Sequence, residues 1–235
     1  MVDMKRYTAT ALGALMLAAA PMAADALTVE FDDSSTGVID LTLTGVGSVS
    51  SGVSTVGSYS LNSFSASSFD FATESELNSV ALDISGGDAG SMLTVRVSDT
   101  GYAGGADAPS LSQLFFNVNG TALGNSVSIG SYVDNSDTLF GQEKQIGSTI
   151  TATNPSPGPG ANDSNVTWGG TETDSFALTP TFSMTQIIEI DPSVGRTSFD
   201  AKTIAAVPVP AAGIMLLTAL GGLGGAAGLR RRRKA

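Results

Sequence analysis

Apolar and polar residues alternate with a period of two through much of the middle of this chain. Leu93, Val95 and Val97 alternate with Thr94, Arg96 and Ser98. Leu114, Phe116 and Val118 alternate with Phe115, Asn117 and Asn119. Val80, Leu82 and Ile84 alternate with Ala81 and Asp83, and Phe182, Met184, Ile188 and Ile190 share a face opposite Ser183, Thr185 and Glu189. Successive side chains of a strand point to opposite faces, so this pattern predicts half-buried strands, one face on a core and one in water. No comparable helical period runs through the region.

Turn chemistry separates the runs. Asn119-Gly120 lies between Val118 and the run towards Val127 and Ile129, and it predicts a hairpin with a type I′ turn. Gly86-Gly87, Gly104-Gly105 and Gly169-Gly170 predict further turns. The Asn154–Gly160 segment, with three prolines that lack N–H donors, predicts an exposed loop, with strand pattern resuming at Phe176. Ser48–Ser68 has a weaker pattern, read as irregular chain or an edge hairpin. Many short strands with Gly-rich turns predict an all-β fold, a single antiparallel β-sandwich of jelly-roll-like type over residues 27–206. A parallel β-helix is the alternative, but it needs a repeating rung length and no such period is visible.

Both ends of the 235-residue chain differ from this middle. Lys5 and Arg6 precede an apolar run to about Met22, followed by Ala24-Asp25-Ala26. A charged start, a short apolar run and an A-x-A site predict a secretory signal peptide over 1–26, cut after Ala26. At the other end, Ala211–Leu229 is 19 residues without a charge. As a helix it would measure about 28 Å, near the hydrocarbon thickness of a bilayer. Six of those residues are Gly, so the run is long enough to span but only modestly apolar. Arg230, Arg231, Arg232, Arg233 and Lys234 would hold its far end in the cytoplasm. Pro208 and Pro210 keep the preceding stretch extended, a shape a protease can bind.

Charge changes once these ends are set apart. The whole chain carries −11, but between Leu27 and Ala206 four cations face twenty acids, a net −16. Such a surface repels phosphate backbones, which excludes nucleic acid as a partner. There is no Cys and no His. Disulfides, thiolate nucleophiles, imidazole metal ligands and the Ser-His-Asp triad are therefore excluded. The remaining candidate chemistry is carboxylate: Asp32-Asp33, Asp83 with Asp88, Asp99 with Asp107, and Asp134 with Asp137, all in or beside predicted turns. Structural calcium is the one cofactor these leave open, although no EF-hand or RTX repeat is present. Acidic turn residues are more often caps and Asx-turns. Trp168, the single tryptophan, is read as a packing residue in preference to a sugar platform. The chain is not read as an enzyme; a glycosidase with paired carboxylates is the remote alternative.

The order of Pro-containing motif, apolar run and terminal Arg cluster resembles the PEP-CTERM class of sorting signals. Val207-Pro208-Val209-Pro210-Ala211 is similar to its alphaproteobacterial VPLPA variant, with Val209 where Leu is usual. The resemblance implies an exosortase substrate: a membrane cysteine protease would cut at or near 207–211, upstream of a transmembrane helix over 212–229 and a basic cytoplasmic tail over 230–235. It also implies a Gram-negative cell, an inner-membrane precursor passed on to the cell surface or the extracellular matrix, and a link to exopolysaccharide and biofilm. The body resembles β-rich proteins with such tails in Phe182–Ile188 and Thr197–Ala201. The expected role is structural or interactive, with a polysaccharide- or calcium-binding surface module as the alternative.

Overall fold

A computed structural model describes residues 26–71, 74–88, 90–103, 110–123, 126–153, 166–191, 193–206 and 218. The predicted leader up to Asp25, the 154–160 loop, Gly104-Gly105, the 207–211 motif, the 230–235 cluster and, apart from Thr218, the 211–229 run lie outside them. Among the described residues, no helix is long and apolar enough to cross a membrane.

Among the described residues, fourteen strands form two antiparallel sheets. They are β1 (Leu27–Asp33), β2 (Leu41–Gly45), β3 (Ser48–Ser51), β4 (Ser54–Val56), β5 (Tyr59–Asp70), β6 (Glu74–Gly86) and β7 (Leu93–Ala103). There follow β8 (Ser110–Leu123), β9 (Ser126–Asp134), β10 (Lys144–Gln145), β11 (Ile150–Thr153), β12 (Val166–Leu178), β13 (Thr181–Asp191) and β14 (Ser193–Ala206). The first sheet has the order β10-β9-β13-β7-β1-β2, with β11 also on β9; the second has β12-β8-β14-β6-β5-β3, with β4 also on β5. From β7 onward the chain changes sheets repeatedly, apart from β9 to β11, which stay in the first sheet, so the long later strands pair with partners distant in sequence. Ser48–Ser68 forms the edge of the second sheet, where β3 and β4 pair back on β5.

One continuous core lies between the sheets. Leu93, Val95 and Val97 are fully buried, as are Leu114, Phe116 and Val118, and Phe182, Met184 and Ile188. Each such side chain contributes about 1.5–3 kcal/mol by leaving water. Phe31 of the first sheet meets Phe64 of the second edge-to-face, 5.1 Å between ring centres, tying the layers together.

Three sequence expectations are corrected. Asn119-Gly120 is not a hairpin turn but the interior of β8, with Gly120 paired to Trp168 on one side and Phe199 on the other. The glycine is needed for close approach: a Cβ there would lie 2.7 Å from the Ser198 carbonyl and 2.8 Å from the Trp168 ring. Gly169-Gly170 likewise sits inside β12, which begins at Val166 and not near Phe176. Val80 does not share the core face. Leu77, Ser79 and Ala81 point inward, and so does Ile84, three residues further on, because Asp83 adopts φ 52° and the phase shifts. This is a β-bulge in β6 against β14: the pairing passes from Ile84–Thr197 to Ala81–Phe199, with one extra β6 residue, and the Asp83 N–H is satisfied by Ser198 Oγ at 3.0 Å.

The strand directions give the sandwich two distinct poles. At one, β1 ends at Asp33 beside the turns at Gly57-Ser58 and Gly86–Ser91. At the other, Asp70 of the second sheet accepts the Ala103 N–H of the first. The chain enters the sandwich at Leu27 and leaves it at Ala206 on this second pole, which we call the exit pole.

Candidate binding face

The acidic residues singled out from sequence do not converge. Among the described residues, no group of three acids could hold a metal ion. Asp107 lies outside the described residues. Asp33 instead caps a turn. Its carboxylate accepts Ser58 N–H at 2.7 Å, Ser58 Oγ at 2.6 Å and Ser35 N–H at 3.0 Å. Burial pushes its pKa up, but these bonds outweigh burial and hold it down at about 2. Asp134 serves the same purpose at the exit pole, accepting Ser136 N–H at 2.9 Å, while Asp137 accepts Gly101 N–H at 2.8 Å. These are the Asx-type caps that short acidic turns favour.

Two buried polar groups were invisible to the alternation. Asp99, fully buried, accepts the Ser68 hydroxyl, and the nearby Tyr102 hydroxyl donates to the Glu76 carbonyl at 3.3 Å. Burial, then the Asp99 charge, pushes the Tyr102 phenol well above its ordinary range, so it stays neutral. Gln186 crosses the core from β13. It donates to the Leu77 carbonyl at 2.9 Å and to Thr203 Oγ1 at 3.0 Å, and accepts from Ser79 Oγ at 2.6 Å. Thr203 in turn meets Ser131 at 2.7 Å. Every one of these groups is sealed between the sheets, so they hold the fold and offer no access to a substrate.

The surface with binding character is the outer face of the second sheet. Register places Phe69, Glu76, Ile204, Phe115 and Thr173 in one row across five strands. The next row, one pleat away from the exit pole, is Ser67, Asn78, Lys202, Asn117 and Thr171. Lys202 Nζ joins the rows by pairing with Glu76 Oε1 at 2.7 Å. Asn117 donates to Thr171 Oγ1 at 2.7 Å. At one side an open trough of about 280 Å³ runs between Ser48, Ser50, Ser65, Ser67, Asn78 and Val80. Phe69 and Phe71 stack, 5.9 Å between ring centres, with 46% and 52% of their surfaces exposed. The signal for this face was present in Phe115, a large apolar side chain in the polar phase of its strand, and in the Phe69-Asp70-Phe71 triplet. Trp168 packs against the core over Gly120, as read from sequence.

Ala26 is exposed, and its carbonyl accepts the Thr28 hydroxyl at 3.1 Å. The remaining predicted sorting and topology residues, Ala24, Val207 to Ala211 and Arg230 to Lys234, lie outside the described residues.

No family model matches this chain, and no curated protein does. Among solved structures, it is similar to the enzymatically active domain of tailspike protein 4 of Bacteriophage CBA120, at 12% identity and a TM-score of 0.28, over 62% of this chain and 19% of that one. It is also similar to an isomalto-dextranase of Arthrobacter globiformis T6 complexed with panose, at 9% identity and a TM-score of 0.26, over 75% of this chain and 29% of that one. The chain thus spans less than a third of the length of either structure, and likenesses at this level carry no argument about its activity.

Proposed function

We propose that this chain is an exported, non-catalytic interaction module of the bacterial cell envelope, delivered by its leader and sorted through its C-terminal tail. The sandwich is jelly-roll-like, a reading supported by the alternation of its later strands between sheets. The observation that carries the proposal is the position of the two chain crossings. Leu27 and Ala206 lie at the same pole, so a leader cut after Ala26 and a tail beginning at Val207 both attach to one side. The Asp33 pole then faces away from the membrane. An exosortase-type protease would meet the Val207–Ala211 stretch just outside the bilayer. The test is the intact mass of the native protein from the surface fraction. A mass that begins near Leu27 and ends near Val207 is expected. Retention of Arg230 to Lys234 in that fraction would overturn sorting by cleavage.

A second reading, polysaccharide binding, is favoured by the serine- and asparagine-lined trough at the edge of the second sheet. Such a surface offers neutral donors and acceptors to hydroxyl groups without charge. Calorimetric titration with the producer's own polysaccharide should release heat, and Asn78→Ala should reduce it. No heat and no shift in melting temperature would remove this reading.

A further inference from the structure

We infer that the exit pole of the second sheet rests on the bilayer surface while the tail holds the protein, through an apolar rim centred on the stacked Phe69 and Phe71. The inference rests on the tail reading above. Ten large hydrophobic residues are exposed among those described, and six of them sit at this pole: Val46, Phe69, Phe71, Leu111, Phe115 and Leu139. Exposed apolar residues scattered singly are ordinary, but a cluster at one end marks a contact. Leu111 and Phe115 occupy the same outer face of β8, and Val46 lies in the turn whose Gly47 carbonyl accepts the Ser68 N–H beside Phe69.

The chain itself says what covers the rim. Ile204 stands in the same row as Phe69 and Phe115, two residues before β14 ends at Ala206. Two strand residues span about 7 Å. The Val207–Ala211 stretch, five residues long, adds at most about 17 Å before the apolar run begins. A rim tethered this closely meets the headgroup layer continually, and Phe and Leu side chains are those that settle at that boundary. Two carboxylates beside it are engaged: Asp70 accepts the Ser75 hydroxyl and the Ala103 N–H, and Glu76 pairs with Lys202. With the body at −16, the favoured surface is zwitterionic and not anionic.

The test uses the full chain in phosphatidylcholine vesicles with brominated acyl chains as quencher. Trp168 is the only native tryptophan, and its row lies five β12 residues beyond the Phe115 row, about 17 Å further from the exit. It serves as the distant reporter. In a Trp168→Phe background, Phe71→Trp places an indole at the rim and Leu220→Trp one in the tail. Brominated lipid should quench the Phe71→Trp indole about twofold and leave native Trp168 nearly unchanged. Quenching at position 220 without quenching at 71 would overturn the rim contact and leave the tail reading standing. Absence of quenching at 220 would overturn both. An emission shift of the Phe71→Trp indole on addition of polysaccharide, without quenching by lipid, would assign the rim to a glycan and overturn the inference. Phe69→Ser with Phe71→Ser should abolish the contact without unfolding, since both rings are half exposed.

Discussion

Asp33 offers the sharpest test of how this sandwich is held, because a single charge ties two turns to the end of β1. Folding lowers its pKa from 3.8 to about 2. At about 1.36 kcal/mol per pH unit, that shift is worth about 2 kcal/mol at neutral pH. Solvent screening at the pole of the sandwich trims this towards about 1.5 kcal/mol. The sign follows from the direction. A carboxylate whose folded pKa is depressed contributes its full share above the unfolded pKa of 3.8, and that share is lost as pH falls through about 2. Asp33→Asn keeps the size of the side chain and removes the charge. Urea unfolding at pH 7 should show the variant less stable by about 1.5–2 kcal/mol, with an unchanged m-value. Between pH 4 and about pH 2 the two stability curves should converge. A gap that stays constant across this range would mean that packing, not the charge, is responsible, and no gap at pH 7 would refute the cap altogether.

Gly57 extends the same experiment. It has φ +56°, and a Cβ built on it would collide with the Asp33 carboxylate. Gly57→Ala should therefore cost about 1–3 kcal/mol from strain and displacement together. In an Asp33→Gly background the three nearest atoms, Oδ2, Cβ and Cγ of Asp33, are gone and the backbone strain is left. The two substitutions should then show a coupling of about 1 kcal/mol. Simple additivity would mean that the turn does not need the close approach.

Other perturbations probe the core, the sheet interior and the charge. Gln186→Ala should cost about 3–5 kcal/mol, since it opens a cavity, strands Ser79 and takes one of two partners from Thr203, whereas Gln186→Met combined with Ser79→Ala, Thr203→Val and Ser131→Ala should recover most of that in thermal melts. Gly120→Ala should destabilise by about 1–3 kcal/mol, because the Ser198 carbonyl and the Trp168 ring cannot both retreat, and Trp168 emission should shift with it. Raising ionic strength from about 0.01 M to 0.15 M shortens the Debye length from about 30 Å to 8 Å. For a body at −16 this should raise the melting temperature by about 2–4 °C for each kcal/mol of repulsion relieved.

The strands were legible because a half-buried strand writes its own period. Leu93 to Val97 and Leu114 to Val118 were assigned to the core face from spacing alone, and both are buried. Their partners were not legible, because pairing in this topology joins strands far apart in the chain. Asn119-Gly120 shows the limit. The dipeptide carries turn chemistry, yet its glycine is explained by Trp168, some fifty residues away on a neighbouring strand. Val80 and Ile84 failed for a related reason: one left-handed residue, Asp83, reverses the phase, and nothing in the local alternation announces it. The outer face was half legible. Phe115 stood out of phase with its strand, but only register brings it into a row with Phe69 and Ile204.

Gln186 explains why one register wins over its neighbours. It falls in the apolar phase of β13, between Met184 and Ile188, where a purely hydrophobic strand would carry another aliphatic residue. An all-aliphatic interface between two sheets resists sliding only through shape. A one-residue slip of β13 would turn Gln186 outward and Ile187 inward. Ser79 would then lose its partner in a sealed core, at about 1–3 kcal/mol, and Thr203 would lose one of its two. Because Gln186 bonds to β6 and β14 at once, while Thr203 reaches back to Ser131 on β9, the penalty applies to a shift of any of these four strands. Hydrophobic alternation thus accounts for the existence of two layers. The polar residues that interrupt it account for how the layers are aligned, and so for the placing of the outer rows that form the candidate binding face.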